Sequence, residues 1–346
     1  MRILIMVSSL NFGGAEKQAV LDANMLSTAH DVYLGTFAEG PLSEQLASGV
    51  KKVIFSKKNY FSAAARVASF LKQKDIQLVH NHLYAPMIIA ALASVMVRVP
   101  IFWHFHGHHF EVRKTPLNIL SRLPTVKRII FVCSALAGYF ENSFSFPSKK
   151  VSVVYNSTQC QKLPLPENGQ KKLLIGFVGR VVGLKRIQYL VRLADFLKKN
   201  GFSDFEIQIA GDGPERKKLE QMSEELGTTQ HVRFLGFRSD IDKLFSQFDL
   251  FILPSEEEAL SLSLIDAGNC QLPCIAFDVG GNKEIVKDGE TGFIVHSEKE
   301  MQQRTLQLCQ DAQLRRRLGR KAEEHNRIFS EEQHLESLLD IYRQYA

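Results

Sequence analysis

The segment Gly179-Arg180-Val181-Val182-Gly183-Leu184-Lys185-Arg186 sets a guanidinium and an ammonium group among glycines, just after an apolar run. Arg offers a planar fork to phosphate oxygens and Lys a mobile point charge. The spacing predicts a helix opening at Lys185, where a cation opposes the positive end of the dipole unless an anion lies between. A diphosphate held by Arg180 and Lys185 is the economical explanation, and two solvated surface cations are the alternative. A second loop reads Asn11-Phe12-Gly13-Gly14-Ala15-Glu16. Adjacent glycines allow close backbone approach and positive φ, and a following helix offers free N–H groups to an anion. Neither G-x-G-x-x-G nor G-x-x-x-x-G-K-[ST] occurs, which counts against a dinucleotide cofactor and against P-loop ATPase chemistry.

A third loop runs Pro254-Ser255-Glu256-Glu257-Glu258-Ala259-Leu260-Ser261-Leu262 and on to Asp266. Three consecutive glutamates repel one another in a tight loop, so Glu256 and Glu257 are expected at the surface. Glu258 is the one suited to a polyhydroxyl ligand, because a carboxylate accepts several hydrogen bonds. The N–H groups around Ser261 and Leu262 suit a phosphate. Asp266 lies about two helical turns on if most of the segment is helical, although Ser263-x-x-Asp266 also reads as a capping box.

Histidines gather in Trp103-His104-Phe105-His106-Gly107-His108-His109-Phe110, at the end of a strand. His104 and His106 share one side while the strand lasts. No Cys or carboxylate stands nearby at a recognisable ligand spacing, so no metal site is expected. His80 and His82 end another strand and are read as lining. Asp240-Ile241-Asp242 has the D-x-D form of a metal site, but it opens a helix after Gly236 and reads as a cap.

The elements that must position these residues are short β-branched runs alternating with helix-period stretches. Strands are predicted at 2–8, 31–37, 51–55, 78–82, 101–106, 128–133 and 151–155, then at 173–179, 205–210, 232–235, 250–254, 274–279 and 292–295. The clearest helix is 184–199, with Leu184, Ile187, Leu190, Val191, Ala194 and Leu197 on one face. Alternation of this kind implies parallel sheets with right-handed crossovers, and nearly continuous apolar strands imply sheets covered on both faces. The unpatterned stretch Asn156–Lys172 reads as a linker between two α/β units. Ligands of such sheets bind at the C-terminal strand edges.

Length and composition agree: 346 residues suit two domains, and 45% hydrophobic with 23% charged residues is an ordinary globular balance. No uncharged apolar run is long enough for a membrane span, and the first apolar run reads as a buried strand, not a signal peptide. Five scattered cysteines suit a reducing cytoplasm. Residues 1–165 hold 18 Lys+Arg against 8 Asp+Glu, whereas the rest holds 25 against 29. The basic first half suits an anionic partner. Nucleic acid is disfavoured, because the cations are not interleaved with aromatics in a known module. Lys51, Lys52, Lys57 and Lys58 precede the amphipathic stretch Tyr60–Leu71, which is expected to rest on an anionic membrane surface.

Gly13-Gly14-Ala15-Glu16, His106-Gly107, Gly179-Arg180 with Lys185, Gly211-Asp212-Gly213-Pro214, Phe234-Leu235-Gly236, Pro254-Ser255-x-x-Glu258 and Gly280-Gly281-x-x-Glu284 occur in that order, ahead of Asp288-Gly289-x-x-Gly292. Together they resemble the family 4 retaining glycosyltransferases over almost the whole chain. The resemblance implies a GT-B α/β fold, with two Rossmann-like domains facing each other across a cleft. Residues 1–160 would take the acceptor and 161–330 the nucleotide-sugar, while 331–346 would form a C-terminal helix packing toward the first domain. Carried over by position, Arg180 and Lys185 bind the donor diphosphate and stabilise the leaving group, and Glu258 contacts the sugar hydroxyls. Asp266 replaces the second glutamate of the family's E-x7-E pattern, which holds the ribose. His106 sits beside the sugar and Gly14 near the diphosphate. Asp266 is one methylene short, and Ala259 and Ser261 stand where glycine is common. These changes put ribose contact in doubt and narrow the sugar pocket.

The implied reaction is same-face displacement of a sugar (hexosyl or N-acetylhexosaminyl), assisted by the leaving diphosphate, with UDP favoured over GDP and no metal or other cofactor. A cell-surface glycan, lipopolysaccharide or lipid-linked molecule is the expected acceptor, met in the cytoplasm or at the inner face of the cytoplasmic membrane. The alternatives are a nucleotide-sugar epimerase or glycan phosphorylase on the same scaffold, and a catalytically silent partner subunit.

Overall fold

The structure, a computed structural model, describes residues 1–107, 114–164 and 172–345. His108, His109 and Phe110 of the histidine-rich segment lie outside the described residues, as does 165–171 of the linker. The chain forms two compact units: Met1–Ser157 with Glu331–Ala346, and Thr158–Ser330.

Unit 1 holds strands β1 (Arg2–Met6), β2 (Asp31–Thr36), β3 (Val50–Ile54), β4 (Leu78–His82), β5 (Ile101–Phe105), β6 (Val126–Phe131) and β7 (Val151–Val153). Its helices are α1 (Gly14–Leu26), α2 (Tyr60–Gln73), α3 (Tyr84–Val97), α4 (Lys114–Leu120) and α5 (Ser134–Ser143), joined by the last helix of the chain, Glu331–Arg343. The strands pair in the order β3-β2-β1-β4-β5-β6-β7. Unit 2 holds β8 (Leu173–Val178), β9 (Phe205–Ala210), β10 (Val232–Gly236), β11 (Leu250–Leu253), β12 (Cys274–Phe277) and β13 (Gly292–Val295), in the order β10-β9-β8-β11-β12-β13. Its helices are α6 (Gln188–Lys199), α7 (Arg216–Glu225), α8 (Ile241–Gln247), α9 (Leu262–Asn269), α10 (Asn282–Ile285), α11 (Glu298–Gln310) and α12 (Ala312–Asn326), so the Glu331–Arg343 helix is α13.

All the strand pairings are parallel. Each sheet contains the doubly wound order of a dinucleotide-type fold, whose order reverses between its first and fourth strands. In unit 1 that point lies between β1 and β4, and in unit 2 between β8 and β11. The central strands β4, β5 and β11 are buried at every position, as expected of a sheet covered on both faces, although β4 carries His80, Asn81 and His82. Every predicted strand is present; β1, β2, β3, β5, β6, β7, β8, β11 and β12 stop one or two residues before the predicted end, where the chain leaves the ladder for the following loop.

Two local expectations are corrected. The helix predicted from Leu184 starts at Gln188, and Lys185 belongs to a 3-10 turn (Gly183–Lys185) closed by Arg186 at φ 47°. Leu184 is 47% exposed, so the buried stripe begins at Ile187. Gly13 is extended at φ −163° and Gly14 is the first residue of α1, so neither uses positive φ. A Cβ at Gly13 would lie 2.1 Å from Glu16 Oε2, the end of a side chain that can move aside. No helix among the described residues is long and apolar enough to cross a membrane.

Candidate functional site

In unit 2 the loops leaving β8, β11 and β12 are tied together. The Glu256 N–H donates to the Leu184 carbonyl at 2.8 Å, and Arg186 pairs with Glu256 at 2.9 Å. Gly281 N–H donates to the Ala259 carbonyl at 2.7 Å. Gly280, at φ 49°, lies so close to the Glu258 carbonyl that a Cβ would come within 1.9 Å. Inside this frame Lys185 Nζ donates to Glu258 Oε1. Their side chains are only 19% and 12% accessible, so water screens the pair weakly. The structure thus brings Lys185 and Glu258 into direct contact, and it resolves the awkward cation: a carboxylate, not a helix dipole, faces it.

Arg180 follows β8 and is exposed, with no ion pair among the described residues. Glu256 and Glu257 are exposed and Glu258 is half-buried. Helix α9 begins at Leu262, and its cap is Ser261, whose Oγ accepts from the Leu264 N–H at 3.4 Å. Ser263 is therefore not the cap, and of the interval from Glu258 to Asp266 only the last part is helical. Asp266 is half-buried on that helix. The N–H groups of Leu262 and Ser263, at the start of α9, have no intrahelical acceptor, whereas that of Leu264 is taken by the Ser261 cap. Asp240 stands at the N-cap position of α8 without a capping bond, because its carboxylate takes Arg238 instead. The D-x-D is thus an ion-paired turn.

Helix α9 is held from behind by Asn326 of α12. Its buried amide donates to the Ile265 carbonyl at 2.7 Å and to Asn269 Oδ1 at 3.0 Å. Gly268 makes room, since a Cβ there would lie 2.3 Å from the amide nitrogen. Asn326→Ala should cost about 3 kcal/mol through the lost bonds and the void. A denaturant midpoint unchanged from wild type would show that α9 does not depend on this contact.

Unit 1 concentrates imidazoles. His80 and His82 lie on β4 and His104 on β5, with His82 and His104 in register. Period two puts all three on one face of the sheet, and His106 follows just past β5. Helix α1 lays Asp22 and Gln18 over them, and α13 adds His334 and Tyr342. Asp22 Oδ1 accepts from Gln18 at 2.7 Å and from His334 Nε2 at 2.8 Å, and His334 Nδ1 donates to the Tyr155 carbonyl at 2.6 Å. His80 Nδ1 meets the Tyr342 hydroxyl at 2.5 Å, and His82 Nδ1 meets His106 Nε2 at 2.8 Å. Burial is the first influence on all of these groups. It holds His80 down at about 4 and His106 at about 3, and keeps His82 and His104 well below the usual imidazole range. For His334 the Asp22 carboxylate outweighs burial and raises the imidazole, while Asp22 itself is lowered chiefly by His334. An unpartnered buried polar atom costs about 1–3 kcal/mol. Here Asp22 Oδ2, His80 Nε2, His82 Nε2 and both ring nitrogens of His104 are such atoms.

Of the residues singled out by sequence, Arg180, Lys185, Glu258, Ser261, Leu262 and Asp266 belong to unit 2, and Gly14 and His106 to unit 1. Asp22, Gln18, His334 and Tyr342 escaped sequence reasoning, because no local spacing links them to the histidines. The carboxylate absent near His104 in sequence is supplied by α1 in the fold.

The profile of glycosyl transferases group 1 matches residues 162–325, and that of glycosyltransferase family 4 matches residues 12–162. The chain is 28% identical over 290 residues to N-acetyl-alpha-D-glucosaminyl L-malate synthase of Bacillus anthracis, covering 75% of this chain and 72% of the relative. It is 26% identical over 247 residues to the Escherichia coli UDP-Gal:alpha-D-GlcNAc-diphosphoundecaprenol alpha-1,3-galactosyltransferase, covering 65% and 64%. Among solved structures, Anabaena HepE in complex with UDP superposes with a TM-score of 0.88 at 20% identity, over 99% of this chain and 100% of that one. The lipopolysaccharide outer core galactosyltransferase WaaB superposes at 0.77 with 17% identity, over the whole of both chains. These likenesses show the GT-B fold.

Proposed function

The chain belongs to the group 1, family 4 glycosyltransferases, and from that premise we propose that it moves a sugar from a UDP-sugar to a glycan or lipid-linked acceptor with retention of anomeric configuration. The observation that carries the donor assignment is the braced set of unit 2 loops holding Lys185 against Glu258, with Arg180 beside it on the β8 loop. A donor diphosphate outcompetes one carboxylate for Lys185. The ammonium then bridges to the phosphates, and Glu258 is released to accept hydroxyl protons of the sugar. Arg180, Lys185 and the N–H groups at Ser261 and Leu262 stabilise the charge that builds on the leaving diphosphate. Asp266 takes the ribose, while His106 and Gly14 keep the roles that the family resemblance gives them. No step in this scheme needs a metal. The UDP assignment is supported by the UDP-bound solved neighbour, and the lipid-linked acceptor by the undecaprenol-dependent relative.

The test is transfer from a panel of UDP- and GDP-sugars to a diphosphoundecaprenol-linked acceptor, with the product anomer read by NMR. An α-linked product from an α-linked UDP-sugar is expected, and an inverted product would overturn the reading. Release of an epimerised nucleotide-sugar without acceptor would favour the epimerase instead.

Membrane contact is proposed on a narrower surface than the sequence indicates. The apolar face of α2 is packed inside through Ala63, Ala64, Val67, Ala68 and Leu71. Lys51 is bound to Asp31 and Lys52 to Glu39. What remains outward is Lys57, Lys58, Ile54 and Phe61, the last 78% exposed. Cations near an anionic leaflet add about 1 kcal/mol each. The protein is expected to float with anionic vesicles at low salt, and Lys57→Glu with Lys58→Glu to stay in the pellet fraction. No flotation by the wild type would remove this part of the reading.

A further inference from the structure

We propose that unit 1 contains a structural divalent-metal site, best suited to Zn²⁺, built from Asp22, His80, His82 and His104. One donor atom from each of these four buried residues lies within 4.8 Å of the others. The atoms without a hydrogen-bond partner are the ones a metal would use: Asp22 Oδ2, His80 Nε2, His82 Nε2 and a ring nitrogen of His104. Buried polar atoms in folded proteins are nearly always paired, so a shell of orphaned donors converging from two strands and a helix marks a ligand and not a packing accident. Three imidazole nitrogens with one carboxylate oxygen suit zinc, whereas magnesium and calcium take oxygen sets. Four protein ligands leave no open position, which is the pattern of a structural site.

The surroundings match what metal-bound imidazoles require, since a ligating histidine uses its other nitrogen to bond a fixed partner. With His80 bound through Nε2, its Nδ1–H donates to the Tyr342 hydroxyl, 2.5 Å away. With His82 bound through Nε2, its Nδ1–H donates to His106 Nε2, 2.8 Å away. Asp22 Oδ1 is already held by Gln18 and His334, which aims Oδ2 at the histidines, 3.6 Å from His82 Nε2. Tetrahedral zinc sets its ligand atoms about 3.4 Å apart, so the side chains close in by about an ångström on binding. The cation joins α1 to β4 and β5, and through His82 it fixes the tautomer of His106. His106 is thereby oriented by a positioning group, Asp22 included, that lies far from it in sequence. This departs from the sequence expectation of no metal, and it does not rest on the donor chemistry assigned to unit 2.

The test uses the full chain without a histidine tag, stripped by chelator and then titrated with Zn²⁺ or Co²⁺. The expected result is binding of about one equivalent, a four-coordinate Co²⁺ absorption band, and a rise in Tm on adding zinc. Asp22→Asn and His104→Gln should each abolish the Co²⁺ band, with far-ultraviolet circular dichroism reporting that the variants are folded. Failure of the wild type to bind either ion stoichiometrically overturns the proposal, and so does a band that survives both substitutions. Because the wild-type titration decides by itself, a variant that does not fold leaves the proposal open to refutation.

Discussion

Lys185→Ala is expected to lower kcat/KM for sugar transfer by about 10²–10³-fold, the size found when one preorganised donor to a developing anion is removed. The substitution acts twice. It removes a cation from the diphosphate, and it leaves Glu258 in a half-buried position with its ion-pair partner gone. The freed carboxylate then repels the donor phosphates. Glu258→Gln should therefore lower activity less in the Lys185→Ala background than in wild type, since residues in one ion pair couple by about 0.5–3 kcal/mol. Arg180 is exposed and makes no such pair among the described residues, so Arg180→Ala should weaken donor binding and slow turnover without the added penalty of an unpaired carboxylate. The measurement is nucleoside diphosphate release at saturating acceptor. A loss smaller than about tenfold for Lys185→Ala would place the diphosphate elsewhere.

Gly211→Ala is expected to destabilise unit 2 by about 3 kcal/mol and to weaken donor binding with it. Gly211 has φ 137°, and a Cβ there would lie 1.8 Å from the Gly179 carbonyl oxygen. The neighbouring backbone is zipped to the Arg180 loop: Gly179 N–H donates to Ala210 at 3.0 Å and Val181 N–H to Asp212 at 2.9 Å. Relieving the clash therefore moves the very segment that carries Arg180. Gly201→Ala is the control, because its φ is 76° but a Cβ there meets nothing within 4 Å. It should cost only the left-handed backbone penalty, about 1–2 kcal/mol, and leave nucleotide affinity unchanged. Equal effects of the two substitutions on nucleotide affinity would show that the close approach of the loops after β8 and β9 is not needed for binding.

Much of this was legible in the sequence. Both sheets could be read because the apolar runs were short and β-branched and alternated with helix-period stretches, cues that separate a buried strand from a helix where periodicity alone does not. Glu258 stood out from Glu256 and Glu257 by its position, and the fold places only that one inward. The start of α6 was misread because Leu184 keeps the helical period by chance while Gly183 and Arg186 make a turn. Ser261 was overlooked as the cap of α9 because Ser263 offers the same side chain two residues on. The Lys185–Glu258 contact was hidden, since sequence gave each a ligand to bind and not each other. The histidine cluster was split for a different reason. Its strands neighbour one another only in the sheet, and Asp22, His334 and Tyr342 reach it through the order in which helices cover β1 and β4. Spacing along the chain carries no trace of that meeting.

The central claim is that the loops leaving β8 and β11 in unit 2 hold a nucleoside diphosphate. Calorimetric titration of wild type and Arg180→Ala with UDP and with GDP, first without added metal and then with magnesium, tests it most directly. The account predicts UDP binding that needs no magnesium and is lost in Arg180→Ala. If neither nucleotide binds at millimolar concentration, or if Arg180→Ala binds as wild type does, the claim is contradicted.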